Sequence, residues 1–86
     1  MKHTASARFW RCLDALPAEV QVLARKNYEL LKAEPSRPSL HFKTVGNGRF
    51  HSVRVGLYHR ALGVPVQGGV HWFWIGTHGD YDKLLS

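Results

Sequence analysis

Gly69–Ser86, GVHWFWIGTHGDYDKLLS, is the stretch whose reading decides the fold. Val70 to Gly76 is almost wholly apolar or aromatic and holds two tryptophans, so it reads as a strand covered on both faces and as the central strand of a sheet. Gly76 ends the run. A polar cluster follows in Thr77, His78, Asp80 and Tyr81, and Leu84 and Leu85 close a short helical segment. Titratable groups presented where a buried strand stops are a common way to build a site.

Working back from this strand, Pro65–Gly69 is a turn and Tyr58–Val64 a third strand. Gly56 and Leu57 bend the chain, Phe50–Val55 is a second strand, Gly46-Asn47-Gly48 a hairpin turn, and Leu40–Val45 a first strand. Alternation sends Val53 and Val55 to one face and Arg54 to the other, with Arg60 beside Arg54. Leu62 and Val64 share parity with Arg60, and Trp72 and Trp74 share parity with each other. A bulge or an apolar cover on the outer face must resolve both conflicts, and the tryptophans are expected there with the arginines.

Before the strands the period is helical. Phe9, Cys12, Leu13 and Leu16 form one stripe of a short helix, and Val20, Leu23, Ala24, Tyr28 and Leu31 the face of a second. Pro17 suits the start of the second helix, with Glu19 in its first turn, and Pro35 forces its end. So short a join implies an antiparallel helical hairpin. The expected fold is α+β, one domain over residues 1–86. The hairpin packs on one face of a three- to four-stranded antiparallel sheet, and a short C-terminal helical segment follows.

The net charge of +6 is unevenly spread. Asp14, Glu19, Glu29 and Glu34 precede Pro35, Asp80 and Asp82 follow Gly79, and no acid lies between. That span carries Arg37, Lys43, Arg49, Arg54 and Arg60 with His41, His51, His59, His71 and His78, a field of one sign suited to a polyanion or an acidic protein. No apolar run approaches the length of a membrane span and no apolar secretory core follows Met1, so no membrane association is expected. The lone Cys12 fits a reducing cytoplasm. The six histidines lie on separate elements, so no metal site is expected, and Gly46-x-Gly48 is a hairpin turn rather than a phosphate cradle.

The segments LPAEVQ, PSLHFKTV, SVRVGLYHRALGV and WFWIGTHGDYDKLL, in that order, resemble the RelE/ParE superfamily of bacterial toxin–antitoxin toxins. The similarity runs over about Ala5 to Leu85, and its most specific part is Arg-Val-Gly-x-Tyr-x-Arg, Arg54–Arg60, followed by His-x-x-Tyr-Asp, His78–Asp82. Many relatives begin with an apolar strand, for which Met1–Ser6 offers no apolar run.

The resemblance implies a cytoplasmic endoribonuclease that cuts messenger RNA on the ribosome without a cofactor or metal and is held inactive by a cognate acidic antitoxin. It implies catalytic roles for three residues: Arg60 on the scissile phosphate, His78 moving a proton, and Tyr81 stacking on or orienting the nucleotide. It also implies RNA-binding roles for Lys43, Arg49 and Arg54. No carboxylate is evident as a general base near Arg60. Two alternatives stay open at this stage, a ParE-like inhibitor of DNA gyrase and an inert antitoxin-binding module.

Overall fold

A computed structural model describes residues 1–86. The elements are β1 (Lys2–Ala5), α1 (Ala7–Asp14), α2 (Ala18–Ala33), a 3-10 turn at Pro38–Leu40, β2 (Lys43–Val45), β3 (Phe50–Val55), β4 (His59–Val66), β5 (Gly69–Thr77) and α3 (His78–Leu85). The strands form one sheet in the order β1-β5-β4-β3-β2. β2 to β5 make an antiparallel meander, and β1 adds to the free edge of β5 in parallel.

The sheet is therefore five-stranded and mixed, which corrects the expected three- to four-stranded antiparallel one. β5 lies between β1 and β4, and β4 holds the geometric centre. β1 escapes the sequence because Lys2, His3 and Thr4 are polar and carry no apolar alternation. Backbone pairing and specific side-chain bonds hold it instead. A Cβ on Gly69 would overlap the Lys2 carbonyl oxygen, so the strands approach as closely as they do only because that position is glycine.

The helical hairpin needs a second correction. Ser6 caps α1 by accepting the Phe9 N–H at 3.1 Å, and the helix then lies against β5, whereas α2 reaches across to β3. The two helices rest on different strands instead of packing along each other, and between them and the sheet lies a cleft of about 550 Å³. β2 is also shorter than expected, since the 3-10 turn takes Pro38–Leu40 and His41 is left-handed at φ 46°. The hairpin turn stands as read, with Gly46, Asn47 and Gly48 all at positive φ.

One extra residue on β5 settles the parity conflicts. Leu62 pairs with Trp74 but its neighbour Gly63 pairs with Trp72, so Phe73 is a bulge. Trp72 and Trp74 then face opposite ways. Trp72 joins the core under α1 and α2 with Leu13, Leu31, Val53, Val55, Ala61 and Ile75. Trp74 joins a smaller core on the other face with Leu62 and Tyr81 of α3. The expectation that both tryptophans stand exposed on the outer face is corrected, since Trp72 is 3% and Trp74 8% exposed. α3 supplies the apolar cover that the outer face required.

β1 is pinned on both sides. On the helix side His3 Nδ1 accepts the Trp72 indole N–H at 3.1 Å and its ring packs edge-on against Tyr28. On the other side Thr4 Oγ1 lies 2.7 Å from His71 Nδ1. Accepting the indole requires neutral His3, and burial, then the chain N-terminus and Lys32, lower its pKa below the ordinary 6.5. Above pH 6.5 this group contributes its full stability. As pH falls from 6.5 towards the depressed folded value, the unfolded chain takes up the proton first and stability declines. Urea midpoints at pH 7.5 and 5.5 are expected to fall for the wild type and to fall less for His3→Gln, which keeps an acceptor without titrating; equal falls would remove His3 as the cause.

Candidate nucleic-acid interface

The outer face of the sheet carries the site. Cross-strand pairing builds it in rows, with Lys43 opposite Ser52 opposite Leu62, and Arg54 opposite Arg60 opposite Gly76. Gly76 leaves room that the Trp74 indole fills, because a Cβ there would meet its ring at 2.5 Å. α3 covers the β4–β5 end of this face, Ser52 of β3 is fully buried, and Lys43 of β2 stands exposed at the edge.

Arg60 is the least conventional group in the molecule. Its guanidinium carbon lies 5.3 Å from the centroid of the Tyr81 ring, a cation–π contact. Its Nε and Nη1 are buried and have no hydrogen-bond partner. No carboxylate pairs with it, since the ion pairs of the chain join Glu29 to Lys32, Glu34 to Arg37 and Asp82 to His78. The remaining nitrogen of Arg60, Nη2, is not buried in this way and has no partner, so it is the edge of the guanidinium that an incoming anion such as a phosphate oxygen can reach. Arg54 lies across from it on β3, with its Nε donating to the Gly56 carbonyl at 3.0 Å, so one edge of that fork is already engaged.

His78 opens α3 at the end of β5. Its backbone N–H donates to the Tyr58 carbonyl at 2.8 Å, and the Thr77 hydroxyl caps the helix by accepting from Asp80 N–H at 3.2 Å. One helical turn on, Asp82 Oδ2 sits 3.2 Å from His78 Nδ1. The carboxylate orients the ring and leaves Nε2 facing outwards to give or take a proton. Sequence reading quotes Asp82 within His-x-x-Tyr-Asp and gives it no role, and the structure sets it on His78. The four-residue spacing of His78 and Asp82, read on a helix, carries that signal.

The structure brings together Arg60, Tyr81 and His78, with the His78 and Tyr81 rings 5.8 Å apart. Tyr81, however, is only 5% exposed. Its faces meet protein, so it shapes Arg60 and leaves no open plane for a base. Lys43 is exposed on the edge strand and shares the outer face. Arg49 does not join the group. It sits on the β2–β3 turn, where it donates to the Gly46 carbonyl at 3.1 Å and covers the Phe50 ring. No three histidine, cysteine or acidic side chains converge as metal ligands.

No protein-family model matches the chain, and no curated protein matches it. Among solved structures, the RelB–RelE antitoxin–toxin complex of Methanococcus jannaschii contains a chain similar at TM-score 0.74 and 13% identity, over 96% of this chain and 99% of that one. A copper-bound mutant toxin from Helicobacter pylori is similar at TM-score 0.62 and 16% identity, over 93% and 97% respectively. At such identities the likeness is one of fold, and the fold is RelE-like.

A packing role for Tyr81 separates its ring from its hydroxyl. Tyr81→Ala is expected to cost roughly 3 kcal/mol, as for other buried aromatics, whereas Tyr81→Phe keeps the ring beneath Arg60 and should unfold within about 1 kcal/mol of wild type. Chemical denaturation of both variants checks this, and a Phe variant as damaged as the Ala one would show that the hydroxyl carries the effect.

Proposed function

We propose that the protein is the toxin of a toxin–antitoxin pair and a metal-independent endoribonuclease that cuts messenger RNA on the ribosome. The observation that carries the reading is Arg60, which pairs with no carboxylate and packs on the same Tyr81 ring as His78, itself oriented by Asp82. The RelE-like fold, shared with a chain solved in an antitoxin–toxin complex, supports the pairing with an antitoxin.

In this reading the scissile phosphate sits on Arg60, with Lys43 and Arg54 adding positive potential. The ribose 2′-hydroxyl gives its proton to Nε2 of His78 while its oxygen bonds to phosphorus. The phosphorus–5′-oxygen bond then breaks, and the leaving oxygen takes a proton from the imidazolium or from water. A 2′,3′-cyclic phosphate and a free 5′-hydroxyl result. Arg60 stabilises the extra charge of the phosphorane, with its guanidinium held in place on the Tyr81 ring. Asp82 keeps the His78 ring in the tautomer whose Nε2 is free.

The antitoxin is expected to be an acidic segment that folds on the toxin. It would cover the Arg60 face or fill the cleft beneath α1 and α2, whose rim carries the half-exposed Trp10 and Tyr28. With a net charge of +6, association should slow as salt shortens the Debye length from about 10 Å at 0.1 M to 3 Å at 1 M. Stopped-flow mixing with the protein encoded beside this gene checks this, and a rate indifferent to salt would remove charge from the recognition.

Arg60→Ala is expected to lower cleavage of ribosome-bound message by about 10²–10³-fold, His78→Gln to lower it without loss of fold, and Arg37→Ala to leave it near wild type. Primer extension on message from purified translation reactions reads all three. Equal losses would reduce the arginines to a diffuse field, and intact message with collapsed DNA supercoiling in expressing cells would turn the reading towards gyrase.

A further inference from the structure

The RNA reading needs an open aromatic plane beside the phosphate site, and Tyr81 does not offer one. Its ring is 5% exposed and is in contact with both Arg60 and His78. Trp10 and Tyr28 are partly open, but both line the cleft under the helices, on the opposite side of the sheet, and are already covered by Arg25 and Lys32. Tyr58 is different. At 72% it is the most exposed large hydrophobic side chain of the molecule, and no aromatic or cationic group packs on its ring.

Its position is tied to the site. Tyr58 stands on the turn between β3 and β4, the two strands that carry Arg54 and Arg60 as direct partners. Its carbonyl accepts the His78 N–H at 2.8 Å, so the backbone beneath the ring is anchored to the first residue of α3. The same turn exposes Leu57 at 69%, which adds apolar area beside the ring. A rigid two-torsion aromatic on an anchored backbone loses little freedom on stacking, and every nucleobase offers a face to stack on.

We propose that Tyr58 is the base-stacking platform of this site and holds the nucleotide next to the phosphate gripped by Arg60. The assignment rests on the nuclease reading above. It makes Tyr58 a substrate-binding residue that sets register, with the proton transfers left to His78.

The test is single-turnover cleavage of a defined message in programmed ribosomes by wild type, Tyr58→Ala, Tyr58→Phe and Tyr58→Trp, on intact substrate and on substrates made abasic at each position flanking the cut. Tyr58→Ala is expected to weaken the apparent affinity about 5- to 150-fold on intact substrate, the range of one lost stack, with a smaller change in the maximal rate. The Phe and Trp variants should keep wild-type affinity. At one flanking position the abasic substrate should weaken wild type by as much as the Ala substitution does, and Tyr58→Ala should not distinguish it from intact substrate. If Tyr58→Ala cuts intact message like wild type, or if base removal weakens both proteins equally at every position, the platform is overturned and the nuclease reading stands. If wild type cuts no RNA at all, both fall.

Discussion

A single inserted residue, Phe73, sets the two faces of this sheet. Without the bulge, in a strand that kept Phe73 in the regular pleat, Trp72 and Trp74 would project to the same side, one of the two cores would lack its largest side chain, and the other would be overfilled. With it, Trp72 packs under α1 and α2 and Trp74 under α3. A chain of this size buries little more than half of its unfolded surface, so placing one indole in each core is a large share of what holds the layers together. The bulge also aligns Gly76 with Arg60 and lets the Trp74 ring lie over that glycine, which forms the floor of the site.

On that floor, charge is handled unlike elsewhere in the molecule. The ion pairs of the chain are exposed and local, three or four residues apart on one helix or connector, and such pairs contribute little. Arg60 instead gives up part of its hydration to the Tyr81 ring and receives no carboxylate in return. Stability alone would favour an apolar residue there. Retaining the cation makes sense if an anion completes it, and Asp82 is then held at a distance useful to His78.

Much of this was legible in the chain. The apolar run of β5, the Gly46–Gly48 turn, the Arg54–Arg60 pairing and the helical stripes follow from period and turn chemistry. The parity of Leu62 with Arg60 pointed to a bulge or cover, and both are present. β1 was not legible, because its pairing is encoded by Gly69 and Trp72 in its partner and hardly at all in its own residues. The fate of the tryptophans was hidden because a bulge is a property of two strands in register. For the site, the family resemblance named Arg60, His78 and Tyr81, but burial separates an aromatic that supports from one that stands exposed, and burial is not written at either tyrosine.

The parallel pairing of Lys2 with Gly69 also bears on how the protein comes into being. Lys2–Ala5 can find their strand partner only once the more than sixty residues up to Gly69 are in place, and contacts so distant along the chain slow folding. The meander can form among neighbours, whereas β1 must wait for β5, and α3 can cover the outer face only once His78–Leu85 have formed it. The meander alone is thus without β1 at its edge and α3 on its outer face. Until both have docked, the apolar side chains they cover are open to other contacts.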